Sequence, residues 1–278
     1  MKNKKKKLIL IIALFLGLVT ITNYSNATET KVFITKETDK IIEGYIEIRP
    51  DEKEIQYDKL DASDLQSINS STNVDTYYYN QLTHTTAKKV YTALKKDTTG
   101  VGVTTVTLAN QVFSVNINSF NNDTAYRKDL LNKQIYGYAR DGLVAFNDDN
   151  PQIYWYFDPK YDFSYNIDKS KREISFNAIR ITSNIEEITD YKNFNQKVEE
   201  VVNSINGTST YEIAKKCHDY ICNTVTYTKK EDTNIDQTAY DALINQQGVC
   251  DAQARLFQLL CRRKGIACIR VNGYARIY

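Results

Sequence analysis

Neither sign of charge dominates this sequence: 36 lysines and arginines stand against 34 aspartates and glutamates. That balance excludes an electrostatic nucleic-acid binder, which needs a basic surplus to meet phosphates. The lysines at the N-terminus supply much of the basic side, so the rest of the chain is mildly acidic and charge names no partner. A bilayer span takes ~20 apolar residues, and the apolar run at 8–21 falls short of that. Cysteine is absent before Cys217, and the five that follow are an odd number, so an evenly paired disulfide framework is excluded. At least one thiol is expected to stay free. Cys217 and Cys222 fall five apart on a predicted helix and point to different faces, a poor geometry for bridging. Proline (3), methionine (1) and tryptophan (1) are scarce, while Asn, Lys, Ile and Tyr are abundant. The 21 tyrosines read first as codon usage in an AT-rich genome, with a carbohydrate- or wall-binding aromatic surface as the alternative.

What is present begins with an export pattern. Lys2, Lys4, Lys5, Lys6 and Lys7 precede the apolar run, and Ser25-Asn26-Ala27 supplies small residues at a cleavage position. Residues 1–27 therefore read as a signal peptide, with an uncleaved N-terminal membrane anchor as the alternative. No cysteine lies near the cleavage point, which excludes a lipoprotein anchor. The lysine-rich start and the composition together point to a Gram-positive bacterium. The expected location is secreted or associated with the cell envelope.

Residues 28–204 alternate strand and helix signals and are expected to form an α+β module. Period-two alternation at 31–36 and 40–49 predicts strands, and the polar stretch 58–75 a loop. A helix is predicted over 75–96 and a hairpin from 101–108 and 111–118. A second helix should run from 121–123 to Tyr138. Asp149-Asn150-Pro151 signals a turn before an aromatic core strand at 152–157. A further hairpin should join 162–167 to 173–181, followed by a helix over 191–205. His84 has no spaced partner and reads as a surface or packing residue rather than a ligand.

The last quarter is better punctuated. Ser209-Thr210-Tyr211-Glu212 and Thr238-Ala239-Tyr240-Asp241 are capping boxes, opening helices at 211–223 and 239–245. Gly248-Val249-Cys250-Asp251 opens a third helix. Ala254, Phe257, Leu260 and Cys261 share a face of it, and Gly265 is its C-terminal cap. A strand is predicted over 266–271. At that helix start Cys250 would meet unpaired amides and the positive end of the dipole, both of which favour thiolate. Its own amide could donate to an oxyanion. The other reading is a small buried apolar residue. A thiol nucleophile also needs a base and a group to orient it. After Cys250 the sequence has no histidine, and Asp251 is its one carboxylate side chain. Cys217, His218 and Cys222 cannot converge tetrahedrally from one helix, so no metal site is expected there.

Residues 210–278 resemble the first half of a transglutaminase-like core, a papain-type thiol fold. The resemblance rests on the helix 214–221, on Val225-Thr226-Tyr227, on Thr238-Ala239-Tyr240-Asp241-Ala242-Leu243, and above all on Gly248-Val249-Cys250. Ala254, Leu259-Leu260, Gly265-Ile266 and Val271-Asn272-Gly273-Tyr274 continue it. Asp149-Asn150-Pro151-Gln152-Ile153-Tyr154-Trp155 resembles a stretch found ahead of such cores in clostridial-type proteins. After the cysteine the family carries a small residue and then an aromatic, where this chain has Ala252 and Gln253.

The resemblance implies that Cys250 is the nucleophile, that its helix packs on an antiparallel sheet, and that His218 belongs to a supporting helix. It also implies that the catalytic His and Asp lie on strands beyond Tyr278. The expectation is thus an α+β chain ending in an incomplete transglutaminase-like core over 205–278. In the complete family member Cys250 would perform acyl transfer or amide hydrolysis, and this chain would be inactive alone. A cell-envelope binding protein with a vestigial core, or a half-enzyme completed by another chain, are the alternatives. Protein or cell-wall peptide is the expected substrate, with no cofactor, no metal, no nucleic acid, and membrane contact only through the N-terminal segment.

Overall fold

A computed structural model describes residues 30–48, 74–97, 103–157, 159–183, 191–227 and 237–271. The expected signal peptide at 1–27, most of the expected loop at 58–75 and the residues after 271 lie outside the described residues. Helices alternate along the chain with the strands of an antiparallel sheet, which makes it α+β. Two hydrophobic clusters divide the interior, one built from 42–181 and the other from 194–261.

The first cluster lies on a five-stranded sheet of β1 (Thr30–Glu37), β2 (Ile41–Ile48), β3 (Val103–Ser114), β4 (Lys160–Asp168) and β5 (Glu173–Thr182), in the order β1-β2-β4-β5-β3. Alternation puts Tyr161, Phe163, Tyr165 and Ile167 of β4 into the core. On β5 the buried set is Ile174, Phe176, Ile179 and Ile181, a pattern that changes phase at Asn177. The ladder absorbs it there, pairing Ser164 with Ala178 and Tyr165 with Phe176, so a bulge keeps all four side chains inward. Gly44 is required by its setting: a Cβ there would lie 2.6 Å from both the Phe33 carbonyl and the Tyr165 hydroxyl.

The predicted hairpin at 101–118 is instead the single strand β3, paired with β5 over 103–107 and 111–114 and irregular between Thr107 and Gln111. The turn signal at its middle becomes that irregularity because β5 offers an uninterrupted partner on one side. Residues 152–157, predicted as a strand, form turns. The Asn147 side chain donates to the Tyr156 carbonyl at 2.9 Å, and the Ile153 amide to Asn150 at 2.9 Å, so the local backbone is satisfied without a ladder.

The helix predicted at 75–96 is split into α1 (Tyr77–Gln81) and α2 (Thr85–Lys96). His84 makes the second start: its Nδ1 accepts from the Thr86 amide at 3.2 Å while its ring stacks on Tyr138 at 3.5 Å. α3 (Ile117–Asn122) and α4 (Thr124–Leu131) follow, and a π-helical turn at Asn132–Tyr136 joins α4 to α5 (Gly137–Asp149). α5 buries Ala139, Leu143 and Phe146 and crosses α2 closely, since a Cβ on Gly142 would sit 2.3 Å from the Ala87 carbonyl.

The second cluster gathers α6 (Tyr191–Ser204), α7 (Thr210–Thr224), a π-helical turn at Asp241–Asn245 and α8 (Cys250–Arg263). Both capping boxes form. Ser209 accepts from the Glu212 amide at 3.2 Å, and Glu212 reaches back to the Thr208 amide at 2.9 Å. Thr238 and Asp241 exchange the reciprocal pair at 3.2 and 3.0 Å. Among the described residues the only strand pairing here is parallel, β6 (Thr226–Tyr227) with β7 (Gln247–Gly248), and 266–271 joins no ladder. α8 packs on α7, α6 and the π-helical turn, because an apolar stripe accepts a helix as readily as a sheet. Tyr154 and Tyr191 touch both clusters.

Candidate functional site

Three local features deliver Cys250 to the surface. Gln246 takes a left-handed backbone (φ 53°) that stops the π-helical turn. The β6–β7 pairing then fixes Gly248, and Val249 stands extended as the N-cap of α8. Ala252, Leu256, Leu259 and Leu260 bury one side of α8, which leaves Cys250, its first residue, exposed. Among the described residues no side chain caps this helix, so its first-turn amides keep their hydrogen-bonding capacity there. An anion at this end of a helix is favoured by those amides and by the dipole.

The neighbouring Asp251 is occupied elsewhere. Arg255 Nε donates to its carboxylate at 3.0 Å, the i, i+4 helical pairing, and Arg270 donates to its other oxygen. Both guanidiniums also bind Asp148, Arg255 at 3.3 Å and Arg270 more closely. Asp148 is 1% exposed, and Arg255 and Arg270 are 5% and 4% exposed. The result is a lattice of two carboxylates and two guanidiniums, buried except at Asp251, which adjoins the cysteine in sequence.

That lattice is one part of a larger seam along the C-terminal end of α5. Arg255 donates to the Asn147 carbonyl at 3.0 Å and Gln258 to the Asp148 carbonyl at 2.9 Å. Arg262 spans three carbonyls, those of Asp149 (2.6 Å), Val74 (2.8 Å) and Cys268 (2.8 Å). Asp149 accepts from the Tyr78 and Tyr79 amides and the Tyr91 hydroxyl, each at 2.9 Å. Burial raises the Asp149 carboxyl above its ordinary value against the pull of those donors. Burial likewise lowers the Arg262 guanidinium.

Among the described residues neither histidine contacts Cys250. His84 is engaged at the start of α2, as described, and the exposed His218 meets Asp219 at 3.3 Å and the Cys222 sulfur at 3.4 Å on α7. No group of described histidine, cysteine or acidic side chains is arranged to hold a metal ion. Sequence reasoning isolated Cys250 but missed Asp148, Arg255 and Arg270. Only the Asp251–Arg255 spacing carried a visible signal, because the other contacts join residues more than 100 positions apart or depend on a segment after the helix.

With this geometry in view, one comparison with known proteins finds a likeness, over one stretch. Residues 198–277 match the model of the Transglutaminase-like superfamily. The match takes in the second half of α6, all of α7 and α8, and Cys250 itself. A search of curated proteins found no match.

Proposed function

We propose that Cys250 is the nucleophile of a transglutaminase-like thiol site, in an exported cell-envelope protein whose substrates are proteins or wall peptides. The observation that supports this best is an exposed cysteine at an uncapped helix start, within the stretch that matches the superfamily model. The lysine-rich, apolar N-terminus supports export. In the proposed chemistry Cys250 gives its thiol proton to water and adds as thiolate to an amide carbonyl, the first-turn amides of α8 stabilise the oxyanion, and the amine leaves with a proton taken from water as the C–N bond breaks. The thioester then passes its acyl group to an amine or to water. Both oxygens of Asp251 are taken up by guanidiniums. With both histidines of residues 1–278 engaged elsewhere, we propose that these residues supply the nucleophile without its base and turn over poorly alone.

An activated ester separates these parts. Mixing the full chain with a p-nitrophenyl ester should release a burst of one equivalent of nitrophenol and little thereafter, with the acyl group on Cys250. A Cys250→Ala chain should lose the burst. A burst that survives in Cys250→Ala, or an acyl group mapped to Cys222 instead, refutes the assignment of the nucleophile. Sustained turnover on a glutamine peptide refutes the proposed lack of a base.

A further inference from the structure

Three of the thiols share one hydrophobic cluster, away from Cys250. Cys217, inside α7, and Cys261, in the last turn of α8, are 0% and 1% exposed within the second cluster. After α8 the chain turns back through Gly265, whose φ of 75° permits the reversal, and the Ile266 amide donates to the Cys261 carbonyl at 2.9 Å. Arg262 then holds the Cys268 carbonyl at 2.8 Å over the same turn. Cys268 is half-buried and packs against the cluster, so of the three it alone is open to solvent. Interaction among the three pushes the Cys261 thiol up and holds Cys217 and Cys268 below the usual thiol value, in keeping with their packing on one cluster. Cys222 and Cys250 are exposed and stand outside this group.

We infer that Cys261 and Cys268 are a disulfide cross-linking site, oxidised by a small-molecule or protein disulfide. The Cys268 sulfur attacks one sulfur of the incoming disulfide and expels the other as a thiolate, which takes a proton. Cys261 then gives up its proton and attacks the Cys268 sulfur of the mixed disulfide, expelling the second thiol. One disulfide is reduced to two thiols and one is formed, with two protons passing from the cysteines to the leaving groups. Cys268 is the partner rather than Cys217 for two reasons. It is the thiol an oxidant can reach, and closing the bond adjusts only the turn after α8, whereas Cys217 is fixed within α7. The bond would fasten α8 to the segment carrying Arg270, and through it the lattice at Asp251.

The test is incubation of the folded full chain with oxidised glutathione, followed by peptide mapping without reduction. Arg262, Arg263 and Lys264 let trypsin cut between the two cysteines, so the cross-link appears as two peptides joined through sulfur. The expected result is that linkage, retained in Cys217→Ser. In Cys261→Ser a stable glutathione adduct should collect on Cys268 instead. Oxidation should also raise Tm by about 5 °C, a shift lost in Cys268→Ser. Glutathione found only on Cys222 and Cys250, a dominant Cys217–Cys261 linkage, or a free Cys268 in Cys261→Ser would each overturn the inference.

Discussion

Replacing Asp148 with alanine should be among the costliest single changes in this protein. Its carboxylate is 1% exposed and neutralises Arg255 and Arg270, which have no route to water at 5% and 4% exposure. At the 3.3 Å separation from Arg255, an effective dielectric of about 20 gives roughly 5 kcal/mol of attraction before desolvation is subtracted. Much of that is spent on taking the ions out of water, so the pair itself stabilises little. Removing one partner is different, because it leaves the guanidiniums buried with only Asp251 to share. The expected loss is about 3–5 kcal/mol, or a fall in Tm on the order of 10 °C. Urea unfolding followed by tyrosine fluorescence and by circular dichroism measures it. A control removes the whole lattice, Asp148→Leu and Asp251→Asn together with Arg255→Met and Arg270→Met, and it should recover most of the loss. A loss below about 0.5 kcal/mol for Asp148→Ala, typical of exposed ion pairs, would refute the argument that the lattice is desolvated.

Other perturbations read other parts of the molecule. Gly142→Val should cost about 1–3 kcal/mol in urea unfolding, since its side chain meets the Ala87 backbone rather than a yielding side chain. Recovery by an Ala87→Gly partner is not expected, because the carbonyl that clashes remains. Thr238→Ala should be costlier than Ser209→Ala, for which about 1 kcal/mol is typical. Thr238 is buried with its Asp241 partner whereas the Ser209 box is exposed, and equal losses would contradict that reading. Burial holds Tyr78, Tyr91, Tyr156 and Tyr165 above the usual tyrosine range, Tyr165 up to about 12. Their stabilising effect is therefore complete below pH ~10, where unfolded tyrosines keep their protons, and is lost as pH rises toward the folded values. Each proton retained by the fold alone costs about 1.4 kcal/mol per pH unit there, so urea midpoints should drop steeply from pH 10 to 11. A flat profile would show that these hydroxyls are not desolvated.

Local chemistry was legible in the sequence where it acts over a few residues. Both capping boxes, the Gly265 cap and the position of Cys250 at a helix start could be read because their partners lie within about five positions. The β4–β5 hairpin and the separate strands β1 and β2 were legible for a related reason: alternation marks each strand, and a close turn joins β4 to β5. Residues 101–118 were not, because whether a polar pair forms a turn or a bulge depends on which strand lies alongside, and β5 begins more than 50 positions later. The 152–157 run misled for the same reason. Aromatic residues that bury well in a strand bury equally well in turns when Tyr191 and Phe194 supply the rings opposite. At the candidate site the cysteine was legible and its support was not. Nothing in the spacing of Asp148 marks it as the counter-ion of two arginines in the last quarter of the chain.

The seam between α5 and α8 has a consequence for how this protein could be divided. A boundary drawn along the polypeptide would separate Arg255, Gln258 and Arg262 from the carbonyls and the carboxylate they serve at 147–149. The last quarter, cut free, would bring to water a row of donors shaped for a helix end that is no longer there. The stump of α5 would in turn keep an acidic tip with no cations to meet it. Modularity in sequence is then not modularity in energy. The two hydrophobic clusters should melt as one cooperative unit, and a piece beginning near residue 198, where the superfamily match begins, would inherit the cysteine without the footing that holds it still.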